Sequence, residues 1–200
     1  MNFRKRLILL FISLTVFLCF TVACDTVLRT LHDLRKTKII NRIIHYVKNE
    51  NVKLEEDELC IISKVVYEAS RHHGLDYRLV LALMKVESNF QHNAISPMGA
   101  RGLLQIKPHH ASLLAQEIGI DWKGAKTLDE PDKNIKIGVY FLSKLQKEFN
   151  GMDMVLHAYN MGPTRLKEIL SKKRLPKNYF SQLVLNEYYI NKRSLPDPKL

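Results

Sequence analysis

The sequence predicts an all-α domain, or nearly so, preceded by an N-terminal signal or anchor and a helical stalk. Three observations carry that expectation. Apolar residues recur at three- and four-residue spacings along most of the 200-residue chain. Gly, Pro, Asp and Asn interrupt those runs at intervals suited to helix ends. No segment alternates with period two over a useful length, and there is no internal repeat. Hydrophobic residues make up 46% of the chain, enough to bury a core.

The N-terminus comes first. Arg4, Lys5 and Arg6 precede an apolar stretch over residues 7–18 that continues through Cys19, Phe20 and Thr21 to Ala23. A basic n-region, an apolar h-region and a small residue before a break form an export signal. At about 17 residues the stretch also meets the lower limit for a membrane-spanning helix. Thr21-Val22-Ala23-Cys24 resembles the bacterial lipobox, which would make Cys24 a lipidation site, but Thr21 stands where an aliphatic residue is usual. Segment 1–24 therefore reads as a cleaved signal, a lipoprotein signal or a membrane anchor. Export is common to all three.

Residues 25–56 form a basic, periodically apolar linker. Val27, Leu28, Leu31 and Leu34, then Ile39, Ile40, Ile43, Ile44 and Val47, fit an amphipathic helix with a break near residues 36–38. It reads as a stalk near the membrane surface, with a helix packed on the main domain as the alternative. Residues 57–192 form the main domain, with 193–200 as a tail. Within it, Ile61, Ile62, Val65, Val66 and Ala69 mark a helix that Gly74 ends. Asp76 caps a second helix whose apolar face includes Leu79, Val80, Leu83 and Met84. A polar, glycine-containing stretch covers residues 89–101. Pro108 opens a helix that closes near Gly119. Thr127 to Glu130 has capping-box spacing before Ile135, Val139, Leu142, Leu145 and Phe149. Asp153 caps a short helix ended by Gly162-Pro163, and Pro176 precedes a final Tyr- and Leu-rich segment.

The formal net charge of +11 suggests an anionic partner, although the basic residues are widely spread. No RNP-like, zinc-finger or basic-zipper pattern is present, so nucleic acid is not the expected partner. The three cysteines, Cys19, Cys24 and Cys60, build neither a disulfide framework nor a metal-ligand spacing, and Cys60 reads as a packing residue.

Glu87 is the candidate catalytic group. It follows Val80, Leu83 and Met84 at seven, four and three residues, on a face that is otherwise apolar. It also falls near the C-terminal end of its helix, where the macrodipole disfavours negative charge. Desolvation and dipole both push a carboxyl toward a raised pKa, as a general acid for glycoside cleavage requires. A solvent-facing glutamate at a helix end satisfies the same spacing.

Four collinear motifs decide the matter. Glu87-Ser88-Asn89-Phe90 is followed by Ser96-Pro97-Met98-Gly99-Ala100. Gly102-Leu103-Leu104-Gln105-Ile106 comes next, then Pro108. Glu130-Pro131-Asp132-Lys133-Asn134-Ile135 precedes Gly138 and Tyr140-Phe141-Leu142, and Ala158-Tyr159-Asn160-Met161-Gly162-Pro163 completes the set. In order and separation they resemble the catalytic domain of the soluble lytic transglycosylase family, over residues 59 to 170. The resemblance implies a lysozyme-like helical fold of the goose-type class. It implies Glu87 as the lone catalytic acid, with Ser88, Ser96, Gln105, Tyr159, Asn160 and, by a loosely matched motif over residues 176–179, Tyr179 on the substrate.

The implied reaction cleaves the bond between N-acetylmuramic acid and N-acetylglucosamine in peptidoglycan, leaving 1,6-anhydromuramyl ends. Neither metal nor organic cofactor is implied. The partners expected are glycan strands and, through the N-terminal segment, a membrane; the location is the periplasm or cell envelope. A hydrolytic muramidase and a non-catalytic glycan-binding subunit of an envelope machine are the rivals. Gly99 and Gly102 are expected to let the backbone approach a sugar closely. Lys107 and His109-His110 depart from the family's usual residues and bear on subsite preference, with the histidines read as a solvated pair.

Overall fold

The computed structural model describes residues 3–50, 52–174 and 179–198, and for residues 3–16 and 18 the backbone alone. Most of the expected export segment, including its basic residues and the start of the apolar run, lies outside the described side chains. Among the described residues, no helix is long and apolar enough to cross a membrane.

Eight α-helices are described: α1 (Phe3–Asn49), α2 (Glu56–His72), α3 (Tyr77–Ser88), α4 (Pro108–Glu117), α5 (Pro131–Glu148), α6 (Met152–Met161), α7 (Pro163–Ser171) and α8 (Phe180–Ser194). A 3₁₀ turn spans Ala125–Asp129. The β-like pairing among the described residues is confined to two isolated antiparallel bridges, Ile95 with Arg101 and Arg101 with Ile106. The all-α expectation holds.

The chain divides into two units, residues 1–38 and 39–200. In the first, α1 continues through residues 36–38 without the expected break, and Val27, Leu28, Leu31 and Leu34 are exposed. The last turns of α1 belong to the second unit, where Ile39, Ile43 and Val47 are buried in the core. The second compact unit begins at Ile39, within the expected linker, because this part of the linker's apolar stripe has a core to cover.

At the centre of the second unit lies α3. Leu79 to Met84 are all buried, on every side of the helix, where the sequence pattern suggested one apolar face. A helix apolar all round is enclosed by its neighbours; α8 and α2 both pack on it, and α2 also packs on α5. The side chain of Asp76 caps α3 by accepting from Arg78 N at 2.9 Å. Gly74, with φ +68°, closes α2 in a Schellman arrangement: its N–H meets Arg71 O, and Leu75 N meets Ser70 O.

Three local expectations are corrected. Thr127 does not cap α5; its hydroxyl accepts from Lys123 N at 3.0 Å, and α5 instead starts after Glu130 with Pro131 at its first position. Asp153 lies inside the first turn of α6, whose N-cap is Gly151. Cys60 is exposed on α2 rather than packed. The expected tail is tied down as well. Leu195 is buried, Pro196 O accepts from the Tyr77 hydroxyl at 2.6 Å, and Asp197 meets the Arg78 guanidinium at 3.2 Å. Those contacts hold the end of α8 against the start of α3.

Candidate active site

Glu87 stands one residue before the end of α3, where the central helix emerges from the core. Its carboxyl is half-buried, and burial raises its pKa from 4.5 to about 8, with no cation or hydrogen-bond donor among the described residues to offset it. The helix ends abruptly. Asn89 takes up a left-handed conformation (φ 48°) as C-cap, its N–H returning to Lys85 O at 3.0 Å. Phe90 follows with φ 60° and is fully buried. Consecutive non-glycine residues in this region are uncommon and are held only where surrounding packing fixes them.

The loop that follows folds over the end of α3. Ser96 N donates to Ala100 O at 2.9 Å, Ala100 N donates to Ser96 Oγ at 3.0 Å, and Gly99 supplies the positive φ the turn needs. His92 fixes the loop from outside, with its ring 3.0 Å from Glu58 and 3.1 Å from Asp129 O. Arg101 clamps Asp129 through Nε at 3.0 Å and Nη2 at 2.6 Å.

Asn134, fully buried on α5, is the hub. Its Oδ1 accepts from Leu104 N at 2.9 Å, while its Nδ2 donates to Arg101 O at 3.0 Å and Leu128 O at 2.9 Å. Gly102 makes room for it: a Cβ there would lie 2.1 Å from Asn134 Nδ2 and 2.2 Å from Leu128 O. The close approach at Gly102 is therefore to the chain's own backbone and amide, not to a sugar as the sequence reading expected. Gly138 does the same on α5, where a Cβ would meet Leu104 Cδ1 at 2.4 Å.

A cleft opens beside Glu87, walled by Ser96, Gln105, Lys107, His110, Tyr159 and Asn160 among others. Gln105 (φ 44°) turns its amide so that Nε2 donates to Ala94 O at 3.1 Å and Gly102 O at 2.9 Å. What Gln105 can still offer a ligand is its carbonyl oxygen. The Tyr159 hydroxyl donates to Leu104 O at 2.8 Å, and its ring stacks at 5.1 Å on Phe141. Burial first, and then the Glu87 charge, push the Tyr159 pKa well up, so the phenol stays a donor.

Of the residues singled out from sequence, Glu87, Ser96, Gln105, Tyr159 and Asn160 come together at this cleft. Two do not. Ser88 is buried with its hydroxyl against Met84 O (3.1 Å) and Leu103 O (2.9 Å), joining α3 to the following loop. Tyr179 is 80% exposed at the start of α8 and is not part of the cleft wall; residues 175–178 lie outside the described residues. Cys24 is exposed on α1 in the first unit.

Sequence reasoning missed His110 and Phe141 as wall residues. The two histidines are not a solvated pair: His109 is exposed, whereas His110 packs edge-on against Phe141 at 4.4 Å and burial lowers its pKa. The three-residue spacing from Lys107 to His110 was the available signal, since it places both near the start of α4. Among the described residues, no cluster of His, Cys, Asp and Glu is arranged to hold a metal ion.

The fold and site define a helical domain built to present one desolvated carboxyl in an open cleft of mixed polar and apolar lining. The chain belongs to the transglycosylase SLT domain family, whose match covers residues 64–180. It is 34% identical over 116 residues to the membrane-bound lytic murein transglycosylase C of Actinobacillus succinogenes, covering 53% of this chain and 32% of that protein. It is 33% identical over 100 residues to the soluble lytic murein transglycosylase of Salmonella typhimurium, covering 49% of this chain and 16% of that one. Among solved structures, an inactive mutant of the lytic transglycosylase Slt from Pseudomonas aeruginosa superposes with TM-score 0.60 at 26% identity, over 67% of this chain and 25% of that chain. The 70 kDa soluble lytic transglycosylase of Escherichia coli shares the fold, with TM-score 0.60 at 19% identity over 78% and 30% of the two chains. The chain thus spans about a third or less of the curated relatives it matches.

Proposed function

We propose that the protein is a peptidoglycan lytic transglycosylase, cutting between N-acetylmuramic acid and N-acetylglucosamine with Glu87 as its catalytic residue. The observation that carries this reading is the Glu87 carboxyl at the wall of the cleft, whose pKa burial raises to about 8, so that it is mostly protonated at neutral pH. Glycosidases that use two carboxylates need them on opposite sides of the bond. Among the described residues lining this cleft, Glu87 is the carboxylate, which favours a substrate-assisted route over a paired one.

In that route protonated Glu87 donates its proton to the glycosidic oxygen as the bond to the muramyl anomeric carbon breaks. The acetamido oxygen of the muramyl sugar stabilises the positive centre. Glu87, now a carboxylate, takes the proton of the muramyl 6-hydroxyl as its oxygen closes on the anomeric carbon. Charge and protons balance without water, and the carboxyl is regenerated. The Gln105 carbonyl and the Asn160 amide supply polar contacts for hydroxyl and acetamido groups, and Ser96 adds a third at the loop. Tyr159 shapes the wall from behind. The export signal expected from the sequence and the names of the membrane-bound relatives support a cell-envelope setting for this work, with segment 1–24 read as the address or anchor.

Digestion of purified peptidoglycan by the protein, followed by mass spectrometry of the muropeptides, tests the reading. Anhydromuramyl ends are expected. Reducing ends would reassign the protein as a hydrolytic muramidase, and retained cleavage by Glu87→Gln would remove Glu87 from its role.

A further inference from the structure

The charge distribution around the cleft is uneven. Burial keeps Glu87 in its neutral form near pH 7 and holds the pKa of His110 down, so neither brings a full charge to the wall there. Ser96, Gln105, Tyr159 and Asn160 contribute polar but uncharged groups. Lys107 is the exception. It is exposed, it lines the cleft directly after Gln105 and Ile106, and it has no carboxylate partner among the described residues. Three of the four lysines on α5, the helix next to α4, are paired: Lys133 with Glu130 at 2.7 Å, Lys136 with Asp132 at 3.1 Å and Lys144 with Glu117 at 2.6 Å. Pairing occupies those ammonium groups, whereas Lys107 leaves its own available at the cleft.

We infer that Lys107 is a specificity residue that recognises a carboxylate carried by the glycan strand beside the cleaved bond. The inference rests on the peptidoglycan reading of the cleft. A lysine is a flexible point charge, suited to a carboxylate that hangs from the sugar on rotatable bonds. Peptidoglycan offers that chemistry from two sources. One is the lactyl group of a muramyl residue whose peptide has been removed, which ends in a free carboxylate. The other is the peptide stem, whose acidic side chains carry carboxylates while the lactyl group is tied up as an amide. An exposed ammonium–carboxylate pair gives up to about fivefold in binding, and salt weakens it.

The experiment compares kcat/KM on three strands: stem-bearing, stem-stripped by an amidase, and stem-bearing with every carboxylate converted to the amide. Wild-type protein is expected to favour at least one carboxylate-bearing strand over the amidated one by about three- to fivefold, mostly through KM. Lys107→Gln should bring that ratio toward one, Lys107→Glu should invert it, and Lys107→Arg should keep it. A ratio that collapses on stripped strands assigns the contact to the lactyl carboxylate; a collapse on stem-bearing strands assigns it to the stem. Equal loss on all three strands, or an unchanged ratio in Lys107→Gln, would overturn the inference. Failure of the underlying reading looks different: wild-type protein would yield reducing ends, or no cleavage of any strand.

Discussion

The ring of Tyr46 meets the ring of Phe90 edge-on, with centroids 6.1 Å apart and planes at 80°. This contact joins the last turns of α1 to the residue on which the chain turns after α3. Three further contacts extend the connection to α8 and α3. The Tyr46 hydroxyl donates to Glu187 on α8 at 3.1 Å, and Lys85, two residues before Glu87, lies between Glu50 at 2.9 Å and Glu187 at 3.1 Å. Residues 39–50 precede the stretch that defines the family, yet they brace the segment that carries Glu87 from both sides. Phe90 can hold its left-handed backbone because its side chain is fully buried in the core and packed against the Tyr46 ring.

The bracing makes α1 a structural part of the domain. Ile43→Ala, at a fully buried position, should lower stability by about 2–4 kcal/mol. Urea denaturation measures it, with m unchanged if the denatured state is unaltered. A midpoint equal to that of the parent protein would show that residues 39–50 do not contribute to the core.

Glu87 links stability to pH with a definite sign. Its folded-state pKa of about 8 lies above the ordinary 4.5, so between those values the folded protein keeps a proton that the unfolded chain has lost. Stability from this group is fully present below about pH 4.5 and declines as pH rises through 8. Glu87→Gln removes the dependence. Above pH 8 the variant should be the more stable protein by roughly 2 kcal/mol, a figure discounted for solvent at the cleft. Thermal denaturation of both proteins across about pH 5 to 9 checks the sign, and activity of the parent should fall on the alkaline side with the same pKa. Parallel stability curves would mean that the carboxyl is not desolvated.

The Gly102–Asn134 contact yields a third expectation. Gly102→Ala forces a Cβ into the Asn134 amide and the Leu128 carbonyl at a φ of +75°, so it combines overpacking with backbone strain. A loss of at least about 2–3 kcal/mol should follow, seen as a lower melting temperature. Asn134→Leu should be comparably damaging, since Leu104 N, Arg101 O and Leu128 O lose their shared partner. The site residues Gln105 and Tyr159 both take their bearings from this loop, so activity should fall with stability in each variant.

Much of this was legible in the residues. Gly74, Asp76, Pro108 and Gly162 announce helix ends by local chemistry that holds whatever the tertiary setting, and the helices begin and end at or near them. Glu87, Gln105 and Tyr159 were legible through the motifs that surround them, not through periodicity. What escaped was tertiary. A period-3.6 pattern cannot distinguish a stripe that meets a core from one that does not, so Ile43 and Leu31 looked alike on one stalk although one is buried and the other exposed. The role of Gly102 depends on Asn134, 32 positions away by the sequence numbers, which no local rule supplies. Ser88 looked like a substrate residue for a related reason: position beside Glu87 in sequence does not fix which way a helix-end side chain points.

Tyr159 offers the sharpest separation of support from chemistry. Its hydroxyl hydrogen bonds to the Leu104 carbonyl, which is itself buried one residue before Gln105. Tyr159→Phe keeps the ring on Phe141 and deletes that bond alone, so stability should drop by only about 1 kcal/mol. If the hydroxyl acts by holding the Leu104–Gln105 turn, KM and kcat on peptidoglycan should both worsen, and the Gln105→Ala variant should gain little further loss from Tyr159→Phe. If the hydroxyl instead left Leu104 to touch the reacting sugar, the two substitutions would multiply. A double-mutant cycle on kcat/KM distinguishes the two outcomes, because residues that act through one another are non-additive while independent contacts add in free energy. The 2.8 Å bond in the free protein favours the first.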